Sequence, residues 1–241
     1  MANSNLIFGL PDLHKDSSWR NNMKTIELNA SVTASNDADA DAMRMELKAK
    51  GTLLINLMSS PGSGKTTLLS RIIKDLGKEK KIGVMEADIA SDVDALKIEN
   101  LGARSIQAHT DGMCHMDAGM TRRAMDAMGC DDLDLIFLEN VGNLICPAEF
   151  DTGAGRNIMI LSIPEGDDKP LKYPLMFEKS DALVITKMDT KDYFDFDLEK
   201  CIERVKRLNS DIAIFPVSAK TGEGMDDFED FLLSQMALWK E

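Results

Sequence analysis

Nine residues, Ser59-Ser60-Pro61-Gly62-Ser63-Gly64-Lys65-Thr66-Thr67, follow the apolar run Leu53–Met58. They open a stretch in which Leu68, Leu69, Ile72, Ile73 and Leu76 recur at helical spacing before Gly77. Strand, glycine-rich loop and helix in that order are the setting of a phosphate-binding P-loop. Gly62 and Gly64 let backbone amides turn inward around phosphate oxygens, and the helix N-terminus adds its dipole. In that reading Ser63 and Thr67 complete the cradle, Lys65 reaches the terminal phosphates, and Thr66 puts its hydroxyl on magnesium. Ser59 stands where the motif usually begins with glycine, a small residue but a departure.

The base needs separate evidence. Thr186-Lys187-Met188-Asp189 follows the apolar run Ala182–Ile185, and some thirty residues on Val217-Ser218-Ala219-Lys220 again follows an apolar run. Guanine presents an N1–H and an exocyclic amine, two donors that one carboxylate accepts together. Adenine offers no such pair, so Asp189 would discriminate by leaving its acceptors unpaired on the wrong base. The stem of Lys187 would lie along the ring, and a backbone amide of Ser218, Ala219 or Lys220 would reach the guanine carbonyl. The two segments resemble the nucleotide-specificity loops of GTPases. Thr186 occupies the place of an asparagine that usually braces this loop against the P-loop, which predicts retained but loosened selectivity.

Acids at strand ends would serve the metal cofactor. Glu86-Ala87-Asp88 closes the run Ile82–Met85, and Glu139-Asn140-Val141-Gly142 closes the run Leu133–Leu138. In a parallel sheet the carboxyl ends of neighbouring strands share one edge, where ligands bind. Asp88 and Glu139 are thus candidates to approach magnesium beside Thr66, and Glu139 to orient the attacking water. Phosphoryl transfer is largely positioning plus charge stabilisation, so Lys65, Glu139 and Asp88 form the expected catalytic set. Gly142 would let this segment swing toward a γ-phosphate as a switch.

Of four cysteines and three histidines, Cys114 and His115 are adjacent, and Cys146 lies just past the switch segment. Thiolate and imidazole together suit zinc or nickel. The spacing matches no metal signature, so two readings stand: a soft-metal site, or buried cysteines beside a capping histidine. Cys201 lies on the apolar stripe of a helix and is expected in the core. Cys130, at a helix end, is left between ligand and structural residue. Met113, Met116, Met120 and Met128 read as packing residues before thioether ligands.

Around these residues, apolar runs at Leu53–Met58, Ile82–Met85, Leu133–Leu138, Ile158–Ile163, Ala182–Ile185 and Ile212–Val217 alternate with amphipathic stretches. Short runs without polar alternation describe strands buried on both faces. The expected fold is α/β, a P-loop NTPase with a mostly parallel sheet and helices on both faces. Two hundred and forty-one residues fit one ordinary domain. Residues 1–35 read as a loosely ordered leader and 36–241 as the nucleotide-binding domain with the Cys/His site embedded in it. Asp37, Asp39 and Asp41 read as the acidic start of a solvated helix ending at Gly51, where the dipole favours negative charge. Lys and Arg number 28 against 41 Asp and Glu, a net charge of −13. That balance excludes a general nucleic-acid binder and a polybasic membrane-surface protein. Four cysteines are too few for a disulfide scaffold, there is no secretory pattern, and no apolar run nears the ~18 residues of a membrane span, so a cytoplasmic setting is expected.

The segments SSPGSGKTT, EADIASDVDA, DGMCHMDAG, ENVGNLICPAEFD, EGDDKPLKYP and TKMD together resemble the HypB group of metallochaperone GTPases, within the family that also holds UreG, CobW and MeaB. The resemblance covers about residues 36–241, and the two cysteine-bearing segments carry most of its specificity. It implies slow GTP hydrolysis with magnesium, and zinc or nickel bound by Cys114, His115 and Cys146 at a subunit interface. It further implies a homodimer favoured by GTP, a HypA-like nickel chaperone as partner, and a nickel–iron hydrogenase large-subunit precursor as recipient. Nickel delivery to urease, cobalamin handling, or a nucleotide-gated scaffold with negligible turnover are the alternatives; Asp189 disfavours an ATP-dependent kinase. Some members carry a cysteine-rich motif or histidine-rich tract near the N-terminus. Residues 1–50 here hold no cysteine and only His14, so a second nickel store is not expected.

Overall fold

Each apolar run becomes a strand, and the strands line up in one direction. The computed structural model describes residues 25–27, 36–87, 97–110 and 112–241. Within them an eight-stranded sheet comprises β1 (Thr25–Glu27), β2 (Leu53–Ser59), β3 (Ile82–Glu86), β4 (Arg104–His109), β5 (Leu135–Glu139), β6 (Arg156–Ser162), β7 (Ala182–Thr186) and β8 (Ala213–Pro216). Their order is β1-β4-β3-β5-β2-β6-β7-β8, and all seven pairings are parallel. The P-loop strand β2 is therefore flanked by β5 and β6.

Alternation along the strands sends successive side chains to opposite faces. On one face Leu53, Ile55, Leu57, Leu135 and Phe137 pack against α2 (Lys65–Leu76) and the C-terminal helix α8 (Met225–Trp239). The other face carries two clusters. Leu54, Met85, Ile136 and Leu138 meet α1 (Asn36–Lys50) and α3 (Ala118–Met128). Met58, Met159, Leu161 and Leu183 meet the short helix α4 (Cys146–Glu149) and, past α5 (Lys169–Lys172), which packs on the next two helices, α6 (Pro174–Glu178) and α7 (Leu198–Leu208).

The helix starts and stops follow local chemistry. Asp37 and Asp39 lie in the first turn of α1, and Gly51 past its end adopts φ 69°, a left-handed conformation that glycine takes without strain. Asp117 caps α3 by accepting from the Met120 amide at 2.8 Å. Cys201 is fully buried in α7, and Met116, Met120 and Met128 are core residues. Burial pushes the Cys201 thiol up to about 12 and raises that of buried Cys130, which packs between Met125 and Leu133.

Two strands escaped the sequence reading. β4 is Arg-Ser-Ile-Gln-Ala-His, and Ser105 and Gln107 are buried alongside Ile106 and Ala108, so no apolar run marks it. β1 is three residues long, inside the stretch read as a leader, and pairs with β4 from Thr25↔Gln107 to Glu27↔His109. At the amino ends of the strands, Lys81 and Arg104 pair with Asp132 at 3.3 and 2.9 Å, and Lys240 approaches Asp134 at 3.8 Å.

Candidate functional site

The glycine-rich loop lies at the carboxyl end of β2, and its serines organise it. Gly62 and Gly64 have φ 74° and 97°, the left-handed turns that let the loop fold back onto the start of α2. Ser59 is completely buried, and its hydroxyl accepts from Lys65 Nζ at 3.1 Å and Ser63 Oγ at 2.8 Å. It donates to the Ser60 carbonyl at 2.9 Å. Serine in place of glycine thus holds Lys65, the lysine expected to reach the phosphates, inside the loop. Glu165, after β6, accepts from the Ser60 hydroxyl, fixing the loop from its other side. Thr66 is half-buried and Thr67 exposed.

The segments expected to read the base are stitched to that loop and to each other. Thr186 Oγ1 donates to the Ser63 carbonyl at 2.6 Å, and Lys187 Nζ to the Gly62 carbonyl at 2.7 Å. Lys187 has φ 63°, the one positive value outside glycine among the described residues. Buried Ser218 donates to Asp189 Oδ1 at 2.7 Å, and Lys220 Nζ lies 3.9 Å from Asp189 Oδ2. The Met188 amide donates to the Val217 carbonyl at 3.1 Å, so Ala219 and its neighbours sit beside Asp189. Thr186 therefore supplies the brace assigned to the usual asparagine, with a single hydroxyl.

Glu139 is buried at the end of β5, in register with Leu57 of β2 and Glu86 of β3. Alternation puts it on the Phe137 face, the one α2 covers, so its carboxyl and the start of α2 share a layer. Glu139 and Glu86 are register-paired at the ends of adjacent strands, and carboxylate oxygens suit a hard divalent cation. Asp88 lies outside the described residues. Arg122, Arg123 and Arg156 are candidates by charge alone for stabilising the transition state; Arg122 pairs with Glu46 and Arg156 with Gln235.

Cys114, His115 and Cys146 converge: one donor atom from each lies within 4.8 Å of the others. Cys114 and His115 sit in the loop between β4 and α3, and Cys146 begins α4. The two sulfurs are 2.7 Å apart, and Cys114 Sγ is 3.7 Å from His115 Nδ1. Cys114 is exposed and Cys146 half-buried, whereas Cys130 and Cys201 are the buried cysteines. Asn143 Oδ1 accepts from the Ile145 amide at 2.7 Å and the Cys146 amide at 3.3 Å, setting where Cys146 emerges. His115 stacks on Phe150, ring centroids 3.6 Å apart and planes at 11°. Burial lowers its pKa, against the nearby carboxylates of Asp117 and Glu149, which favours the neutral imidazole that binds metal. The Cys146 thiol is raised, first by its hydrogen bond with Cys114. Thiol, thiol and imidazole fit zinc or nickel, with a fourth position left for solvent or a second chain. Nothing in the spacing marked Phe150. Asn143 carried an Asx-turn signal, an asparagine two and three residues before the amides it caps.

Comparison with known proteins agrees with this geometry. The profile of the CobW/HypB/UreG nucleotide-binding domain matches residues 53–216. The hydrogenase maturation factor HypB of Azotobacter chroococcum is 41% identical over 224 residues, covering 93% of this chain and 73% of that protein. The hydrogenase/urease maturation factor HypB of Helicobacter pylori is 37% identical over 216 residues, covering 88% of each. The crystal structure of HypB from Archaeoglobus fulgidus superposes with a TM-score of 0.80 at 36% identity, covering 84% of this chain and 99% of that one. HypB from Helicobacter pylori in complex with nickel gives 0.78 at 38% identity, covering 85% and 96%. With strand order, phosphate loop and Cys/His cluster in view, the chain belongs to the CobW/HypB/UreG family of nucleotide-binding proteins, in its HypB group.

Proposed function

We propose that this protein is a GTP-hydrolysing metallochaperone that assists nickel insertion into a nickel–iron hydrogenase. The observation carrying this reading is that Cys146 lies only seven residues beyond Glu139, on one continuous segment, and meets Cys114 and His115 at its far end. GTP lies with its phosphates in the loop from Gly62 to Thr67 and its base on Asp189, flanked by Lys187 and by Ser218, Ala219 and Lys220. Thr66, Glu139 and Asp88 hold magnesium, which neutralises charge on the phosphates when bound. Lys65 orients the terminal phosphates, and Glu139 positions the attacking water. Turnover is slow, because no arginine finger is assigned: Arg122 and Arg156 hold Glu46 and Gln235, and Arg123 is a candidate by charge alone.

The cargo is zinc or nickel, held by Cys114, His115 and Cys146. Loss of the γ-phosphate shifts the 139–146 segment, which moves Cys146 relative to the other two donors and changes their grip. Linked sites typically couple by ~1–3 kcal/mol, roughly a 5- to 150-fold change in affinity. Exposed Cys114 and half-buried Cys146 leave the cluster open on one side, which favours a GTP-dependent homodimer in which a second chain completes the coordination. A HypA-like nickel chaperone and the hydrogenase large-subunit precursor are the partners; nucleic acid and membrane are not. Among the described residues no helix is long and apolar enough to cross a membrane. Urease is the second recipient to consider, because relatives from Helicobacter are named hydrogenase/urease maturation factors.

The test measures metal content and oligomeric state with GDP and with a non-hydrolysable GTP analogue. Nucleotide-dependent dimerisation and unequal metal affinities support the reading. Equal affinities within error sink the coupling of metal to nucleotide, and turnover unchanged by Lys65→Ala reduces the protein to a nucleotide-gated scaffold.

A further inference from the structure

Three carboxamides form a row across neighbouring strands. Asn140 Oδ1 accepts from the Met116 amide at 3.1 Å and the Val141 amide at 2.8 Å. Its Nδ2 must then be the donor to Asn56 Oδ1, at 3.0 Å, and Asn56 Nδ2 donates in turn to Asn157 Oδ1, at 3.0 Å. Asn140 is fully buried and Asn56 is 1% exposed. Asn56 lies between Leu54 and Met58 on the same sheet face. Leu54 belongs to the cluster under α1 and α3, and Met58 to the cluster under α4 to α7. The row therefore occupies the seam between two apolar clusters.

Packing alone does not account for it. An apolar residue at position 56 would join the two clusters, whereas buried amides stabilise little and are costly unless every group is paired. What the row joins is informative. Asn56 lies three residues before Ser59, in the strand that carries the phosphate loop. Asn140 directly follows Glu139 and precedes Val141 and Gly142. Met116 is the neighbour of His115. One side chain thus ties the strand end expected to sense the γ-phosphate to the backbone that carries Cys114 and His115.

We propose that Asn140 is a positioning residue that makes the 112–117 loop follow the 139–142 segment, so that His115 and Cys114 shift together with Cys146 when the nucleotide changes. This rests on the nucleotide-gated metal reading above and adds the route by which the second segment is moved. With the Asn140–Met116 bond removed, the loop keeps one position in both nucleotide states and only Cys146 responds.

The experiment titrates nickel into the full-length protein, once with GDP and once with a non-hydrolysable GTP analogue, for the native chain, Asn140→Ala and Asn56→Leu. Thermal melting and GDP affinity report on folding. The native ratio of nickel affinities is expected to exceed about fivefold. In Asn140→Ala it should fall by about fivefold, the worth of one hydrogen bond, with GDP affinity close to native. Asn56→Leu, which fits the surrounding clusters and frees the Asn140 amide from its anchor, should lower the ratio in the same direction. A full native ratio in Asn140→Ala that binds GDP normally overturns the proposal. Should that variant fail to fold, a full ratio in Asn56→Leu overturns it instead. A native ratio of one removes the nucleotide-gated reading itself, and this proposal with it.

Discussion

The Thr186 hydroxyl donates to the Ser63 carbonyl at 2.6 Å, and both residues are buried. Through this bond the segment expected to read the base and the loop expected to hold the phosphates behave as one body. Because Thr186 has one hydroxyl and no second polar arm, it contributes a single hydrogen bond to the brace, beside that of Lys187 to Gly62. Thr186→Val should weaken GDP and GTP binding roughly tenfold, from ~1–1.5 kcal/mol for a buried hydrogen bond lost with its acceptor left unpaired. Turnover at saturating GTP should change little. Isothermal titration measures the first and steady-state phosphate release the second; unchanged affinity would show that Lys187, donating to Gly62, holds the loop alone.

Asp189 keeps one carboxylate oxygen on Ser218 and the other 3.9 Å from Lys220. Asp189→Asn can still accept from Ser218 while presenting an amide donor outward. Guanine, which offers donors, should lose affinity by roughly two orders of magnitude or more, and xanthine, with a carbonyl in place of the amine, should gain. Competition of xanthosine and guanosine triphosphates for the variant decides the matter; an unchanged preference would place the base elsewhere.

Cys114→Ala and Cys146→Ala each remove one of three converging donors. Either should abolish stoichiometric zinc or nickel while GDP affinity stays native. Cys130→Ala, a change in a buried thiol outside the cluster, should keep the metal and cost stability instead. Metal analysis of the purified variants checks this, and full metal content in Cys114→Ala would move the site.

Glu229 on α8 has its carboxyl pushed up to about 7 by burial and by the nearby charges of Asp75 and Asp226. The folded protein thus holds this proton more tightly than the unfolded chain, whose carboxyl titrates near 4.3. The contribution to stability is fully present below the unfolded value and is lost as pH rises through about 7. Glu229→Gln should therefore gain melting temperature over the native chain between pH 5 and pH 7.5, with no further gain above. A difference in melting temperature that stays flat with pH counts against this assignment.

The fold was legible where burial on both faces forces an uninterrupted apolar run. Leu53–Met58 and Ala182–Ile185 announce β2 and β7 within a residue of their limits. It was illegible in β4, where Ser105 and Gln107 are buried as polar residues, and strand order cannot be read from local pattern at all. The phosphate loop was legible because glycine, lysine and threonine at fixed offsets have few other uses. The Cys/His cluster was legible in residue type and through the family resemblance but not in spacing, since its donors stand about thirty residues apart and meet only in the fold. Geometry separates the two readings of the cysteines: Cys114 is exposed, while Cys130 and Cys201 are the buried thiols, and Asp117 rather than His115 caps the helix. Asn140 and Asn56 carried no signal, because a buried asparagine looks in sequence like any loop or turn residue.

All eight strands run the same way, so every chemically equipped loop leaves the sheet at one end. The opposite end, fastened by Lys81, Arg104, Asp132 and Asp134, lies a strand length away, roughly 17 Å for five residues. A fluorophore or surface tether grafted there can report on the proposed assembly without obstructing the proposed nucleotide and metal sites.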